Sequence, residues 1–119
     1  MIENNDIKKL KSKIQIDCVF NKGKAIKSGA LVMHFISERK ELKNTFIGVG
    51  VSKSHVQLAY RRNRIKRQIR AIIQQQKKEV IQTLPPGLYM VLYEGSVSVN
   101  TKKLKQDFKG VLKPFTDCG

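Results

Sequence analysis

The sequence predicts a single α+β domain in which helices pack against one sheet. Three observations carry this expectation. Apolar residues recur at helical spacing in three separate segments, strand-length apolar or β-branched runs lie between them, and 119 residues suffice for one hydrophobic core. No internal repeat, low-complexity tract or linker divides the chain, so residues 1–119 read as one unit. The order is helix, two or three strands, long helix, strand, helix.

Residues 1–13 alternate charged and apolar positions and read as an extended or mobile lead-in anchored by Ile2, Ile7 and Leu10. Behind this polar, lysine-rich start no apolar h-region follows, so no signal peptide is expected. From Ile14 the residues Ile16, Val19 and Phe20 share one helical face, and Gly23 stops the helix. Ala30 to Ile36 is an apolar run with the length of a strand. Ser37 to Asn44 is a polar, hairpin-type connection, and Thr45 to Ser52 is a second strand in which Gly48 and Gly50 suggest a bulge or a close backbone approach.

The longest helical signal runs from about His55 to about Thr83, with Leu58, Ile65, Ile69, Ile72 and Val80 on one face. Pro85-Pro86-Gly87 ends it. Leu88 to Glu94 is a strand of nearly continuous apolar character, which predicts burial on both sides. Thr101 is the expected N-cap of a closing helix carrying Leu104, Phe108, Val111 and Leu112 in a stripe, and Pro114 marks its expected end.

Charge is the dominant compositional signal. Lys and Arg number 24 against 9 acids, a formal charge of +15. Such a chain repels itself unless a polyanion neutralises it, and nucleic acid is the default polyanion. No stretch reaches the roughly 18 apolar residues that a membrane-spanning helix needs. The expected compartment is the cytoplasm, with no membrane partner. Cys18 and Cys118 stand 100 residues apart without CxxC spacing. That leaves one disulfide or two thiols, and favours thiols in a reducing compartment.

The charge is concentrated. From Leu42 to Lys78 there is no acid in 37 residues, while Lys43, Lys53, Arg61, Arg62, Arg64, Lys66, Arg67, Arg70, Lys77 and Lys78 contribute ten cations. Like charges four residues apart on a helix repel by a few tenths of a kcal/mol, and Arg62/Lys66 and Lys66/Arg70 are such pairs. With Leu58, Ile65, Ile69 and Ile72 turned inward, Asn63, Arg64, Lys66, Arg67 and Arg70 spread over the opposite half. Arg61 and Arg62 flank the stripe, where their stems can pack while the guanidinium groups reach out. Arginine grips phosphate through two parallel hydrogen bonds, where lysine offers a point charge. Asn63 within the run can pair with a base edge or a 2′-hydroxyl.

The string Ala59 to Arg70, AYRRNRIKRQIR, resembles the signature of the bacterial ribonuclease P protein family: an alanine, two variable residues, Arg-Asn-Arg, an aliphatic residue, two basic residues, and an aliphatic–basic pair. Ala59, Arg62, Asn63, Arg64, Ile65, Lys66, Arg67, Ile69 and Arg70 fit it. FIGVGVSKSHVQLA before the string, VFNKG at Val19 to Gly23, and LYMVLYEG followed by an amphipathic helix extend the likeness over nearly the whole chain.

The resemblance implies a two-layer α/β sandwich ordered αβββαβα, of the type of ribosomal protein S5 domain 2, with the arginine-rich helix in a left-handed crossover between parallel strands. It implies a subunit of an endoribonuclease that removes the 5′ leader of precursor tRNA, with a catalytic RNA subunit holding Mg2+ and performing the hydrolysis. The protein would be a monomer, one per RNA. Lys53, Arg61, Arg62, Asn63, Arg64, Lys66, Arg67 and Arg70 would face the RNA subunit. Ile16, Phe20, Val32 and His34 would line a cleft for the single-stranded leader. Ile16 stands where the family often has phenylalanine, and His34 where it often has tyrosine.

The residues themselves offer no catalytic set. His34 and His55 lack metal-ligand spacing, the acids Asp17, Glu38, Glu41, Glu94, Asp107 and Asp117 are scattered, and no glycine-rich phosphate loop occurs. Other classes fit less well. A general RNA chaperone or ribosomal protein would share the charge without requiring the Arg-Asn-Arg string. A helix-turn-helix DNA binder needs a helical turn where strand-like residues precede His55. A membrane-surface helix would carry tryptophan or phenylalanine at the interface, and the basic helix has neither.

Overall fold

Gly87–Tyr93 forms the middle strand of a five-stranded sheet, and it explains the arrangement of the rest. The computed structural model describes residues 7–10, 12–37, 44–54, 56–95 and 100–117. Within them run β1 (Ile7–Lys9), α1 (Lys13–Lys22), β2 (Lys24–Ser28), β3 (Leu31–Ser37), β4 (Thr45–Val51), α2 (Ala59–Gln75), α3 (Lys77–Thr83), β5 (Gly87–Tyr93) and α4 (Thr101–Asp117). The α+β class and the order αβββαβα hold from α1 onward, with the cationic segment divided into two helices.

The strand order is β1-β4-β5-β3-β2. β5 pairs parallel with β4, from Thr45 opposite Gly87 to Val51 opposite Tyr93, and antiparallel with β3, from Leu31 opposite Tyr93 to Ser37 opposite Gly87. The expected hairpin between β3 and β4 is therefore absent, because β5 lies between them. The hairpin that exists joins β2 to β3 through Gly29 and Ala30. Residues 38–43, the expected connection, lie outside the described residues.

Strand alternation sorts the core into two layers. Leu31, Met33, Ile47, Tyr89, Val91 and Tyr93 face α2, α3 and α4, meeting Ile65, Ile69, Ile72 and Ile73, Val80, and the stripe Leu104, Phe108, Val111 and Leu112. Leu88, Ile36, Phe46 and Met90 face the other way and meet Val19 and Ile16 of α1. Burial of each such side chain is worth about 1.5–3 kcal/mol relative to exposure.

Several boundaries differ from the sequence expectation for identifiable reasons. Part of the lead-in is ordered, since Ile7–Lys9 pairs parallel with Thr45–Ile47 and Leu10 is buried, its amide donating to the Ile47 carbonyl. Gly23 does stop α1, although its φ of −81° needs no glycine. A Cβ there would run into the carbonyl oxygens of Val19 and Phe35. At Gly48 and Gly50 the register continues without a bulge, and close approach to Met90 and Leu92 accounts for both glycines.

The basic helix begins at Ala59, because Val56 is fully buried and Leu58 is held extended at φ −82°, ψ 127°. It breaks at Gln76, whose φ of −108° and ψ of 25° leave the helical basin. The last helix is capped by Asn100, whose side-chain oxygen accepts from the amides of Lys102 and Lys103 at 2.9 and 3.2 Å, one residue before the expected Thr101. It passes through Pro114 to Asp117, and Phe115 packs edge-on against Phe35 with ring centroids 5.1 Å apart.

The β2–β3 turn is tied to α4 by one carboxylate. Asp107, 7% exposed, accepts from the Ala30 amide at 3.1 Å, and Gly29 beside it has a φ of +58°. A side chain at Gly29 would meet that carboxylate and force an L-residue into the left-handed region. Gly29→Ala is expected to cost at least about 1–2 kcal/mol. Urea unfolding should show a lower midpoint at unchanged slope, and an unmoved midpoint would contradict the turn geometry.

Candidate nucleic-acid interface

The placement of the cations follows from what α2 must bury. Ile65, Ile69, Ile72 and Ile73 are 1–4% exposed and hold the helix to the sheet. The 3.6-residue period then turns Asn63, Arg64, Arg67 and Arg70 outward, and all four are exposed, as is Arg61 on the flank. Lys66 is half-buried at the margin. No acid lies within α2 to neutralise them. Lys53 is exposed in the turn after β4, next to a 2.7 Å hydrogen bond between the Ser52 and Ser54 hydroxyls.

Arg62 behaves differently from its neighbours. Its Nη1 donates to the backbone carbonyls of Val56 and Gln57 at 3.0 and 2.7 Å. Arg62 thus fastens the segment leading into α2 onto the helix, with one terminal nitrogen committed inside the fold. The segment is also held by the Val56 amide donating to Ser52 at 3.0 Å.

Two residues at the start of α2 depart from the sequence reading. Leu58, expected in the buried stripe, is 52% exposed, since Val56 has taken the inward position. Tyr60 was not singled out by sequence, yet it is 65% exposed. A signal existed, because Tyr60 precedes Arg64 by four residues and Arg67 by seven, the spacing that puts all three on one helix face.

The second set of residues lies on the other side of the sheet. Phe20 of α1 is 38% exposed and meets His34 of β3 edge to face, ring centroids 4.8 Å apart at 67°. Val32 points the same way two residues earlier, but at 8% exposed it forms floor rather than accessible wall. Ile16 is half-buried against Leu10, Val19 and Leu88. Phe20 and His34 are therefore brought together as an open aromatic pair, with Ile16 and Val32 serving largely as packing beneath it.

A groove of about 620 Å³ opens where β1 ends, between Ile16 on one side and Arg70 and Ile73 on the other, with Gly48 and Met90 in its wall. It runs between the two residue sets around the β4 edge. Among the described residues no three His, Cys, Asp or Glu side chains converge on a point that could hold a metal ion. Cys18 is a half-buried free thiol on α1, and Cys118 and His55 lie outside the described residues. No helix among the described residues is long and apolar enough to cross a membrane.

A sheet with an acid-free arginine helix on one side and an aromatic pair on the other can be compared with known proteins. The family model described as Ribonuclease P matches residues 5–116. The chain belongs to the ribonuclease P protein family. One relative, the ribonuclease P protein component of Lactobacillus helveticus, is 35% identical over 72 residues, which span 60% of this chain and 58% of that protein. The match to that relative thus covers little more than half of its length. The solved RNase P protein of Staphylococcus aureus superposes with a TM-score of 0.73 over 89% of this chain and 93% of that one, at 22% identity. The RNase P protein from Thermotoga maritima gives 0.71 over 90% and 96%, at 20% identity. The family's mixed α+β fold is the fold seen here.

The geometry separates two kinds of arginine. Arg62→Ala should remove the fastening of the 56–57 segment and lower stability by about 1.5–3 kcal/mol, the range for a hydrogen bond made by a charged group. Arg67→Ala, on an exposed position, should leave the thermal unfolding midpoint in place. Equal effects of the two substitutions in a melting experiment would contradict the assignment.

Proposed function

We propose that this chain is the protein subunit of a ribonuclease P, binding the catalytic RNA through the outward face of α2 and the 5′ leader of precursor tRNA through the Phe20–His34 side of the sheet. The observation that carries the reading is the outward face of α2, where Arg64, Arg67, Arg70 and Asn63 are exposed together on a helix without an acid. Phosphates neutralised by these side chains release counterions, so binding should weaken steeply as salt rises. The RNA-subunit face comprises Lys53, Arg61, Asn63, Arg64, Lys66, Arg67 and Arg70, together with Arg62, whose share is reduced by its internal hydrogen bonds.

On the leader side, the open ring of Phe20 offers a stacking surface for an unpaired base, with His34 bracing it edge-on. Magnesium is held by the RNA, which performs the hydrolysis. The protein contributes affinity and positioning, drawing the leader into register with the RNA's reactive site. It acts in the cytoplasm, one copy per RNA. A general RNA chaperone would bind with similar charge but would not distinguish precursor from mature tRNA.

The test is reconstitution. The chain is mixed with an in vitro transcribed bacterial ribonuclease P RNA and a precursor tRNA at low magnesium. Protein alone should be inert, RNA alone slow, and the mixture should release the 5′ leader accurately. RNA binding without stimulated cleavage would place the chain among other basic RNA-binding proteins. Two substitutions should separate the faces. Arg67→Ala should reduce the salt slope of RNA-subunit binding by about one, and an unchanged slope would remove Arg67 from the phosphates. Phe20→Ala should lower affinity for precursor tRNA by about 1–3 kcal/mol while leaving mature tRNA unaffected. A parallel loss for both tRNAs would exclude leader stacking.

A further inference from the structure

Tyr60 has no place in the packing of the fold, and its surroundings suit one kind of ligand. At 65% exposure its ring lies outside the core, on the helix face that also carries Arg64 and Arg67. Arg61 holds it from the side, with Cζ 5.7 Å from the ring centroid and Nε donating to the Tyr60 hydroxyl at 3.2 Å. An exposed, braced aromatic ring among arginines in an acid-free stretch is the combination that single-stranded nucleic acid sites use: cations track the phosphates and the ring receives a base.

We infer that Tyr60 is a stacking platform for an unpaired base of the RNA subunit, adding a base contact to the phosphate contacts of Arg64 and Arg67. The inference rests on the reading of α2 as the RNA-subunit face. A protein partner fits poorly, since an apolar contact on Tyr60 would sit among arginines that no acid of the helix neutralises. A base fits well, because its phosphates satisfy the cations at the same time. Arg61 fixes the ring's orientation from one side, which lowers the conformational freedom lost when a base stacks.

The experiment measures binding of the full-length chain to in vitro transcribed ribonuclease P RNA across a series of salt concentrations, for wild type, Tyr60→Phe and Tyr60→Leu. Stacking predicts that Tyr60→Leu weakens binding by about 5- to 100-fold, from the typical worth of a base–aromatic contact. Tyr60→Phe, which keeps the ring, should bind nearly as wild type. The salt slope should be the same for all three, since no cation is lost. Thermal unfolding of the variants should coincide with wild type, because the side chain is exposed.

Wild-type affinity in Tyr60→Leu would overturn the inference. A loss in Tyr60→Phe equal to that in Tyr60→Leu would assign the effect to the hydroxyl and its bond to Arg61, and would overturn it too. A shallower salt slope in Tyr60→Leu would do the same, by placing the effect at a phosphate. Failure of the underlying reading looks different. Wild-type binding without salt dependence would remove α2 from the RNA, and Tyr60 with it.

Discussion

β5 has no polar side. Leu88 to Tyr93 carries apolar or aromatic residues on both faces and pairs with a strand on each edge, so both faces of the sheet must be covered. A parallel partner on one edge requires a crossover, and that crossover is the segment bearing α2 and α3. The helix most charged on its outside is thereby laid across one face, while α1 covers the other through Val19 and leaves Phe20 and His34 at its margin. An outward cationic helix face and an open aromatic pair on opposite sides of one sheet are a consequence of a single strand's composition.

Charge works against this arrangement, and magnitude decides the outcome. The like-charged pairs Arg62/Lys66 and Lys66/Arg70 each cost a few tenths of a kcal/mol. Four isoleucines on the inner face of the same helix, all at most 4% exposed, contribute about 1.5–3 kcal/mol each. Burial wins by a wide margin, so α2 stays folded although no acid within the helix neutralises its cations. Arg62 adds to this by turning its charge onto the Val56 and Gln57 carbonyls, easing its repulsion with Lys66 while fixing the start of the helix. The residual positive field is then available to a polyanion, and the fold presents it pre-ordered.

Much of this was legible in the sequence, since periodicity reports which side chains are apolar. The inward stripe of α2, its outward arginines, the apolar β5 and the stripe of α4 all follow from spacing alone. Partner choice does not. β3 and β4 are consecutive strands with a polar connection, and nothing local says that β5 will insert between them; that follows only from the need to bury β5 on both edges. Leu58 matched the helical period yet is exposed, because Val56 had already filled the inward site and the chain was still extended. Ile7 to Lys9 is too short to declare itself, and it becomes a strand by borrowing the edge of β4. Pro114 would end a free helix, but Phe115 finds Phe35 and Tyr89 beyond it. Tyr60 has the spacing that puts it with Arg64 and Arg67, but an exposed ring lies off the apolar stripe, and periodicity marks only the buried face.

In the proposed assembly two RNA strands meet two different faces of the sheet. The direct measurement is photo-crosslinking in the assembled complex, with benzoylphenylalanine introduced at Arg67 in one preparation and at Phe20 in another. The probe at Arg67 should attach to the RNA subunit, and the probe at Phe20 to the 5′ leader of precursor tRNA. Attachment of both probes to the same strand would contradict the assignment of the two faces.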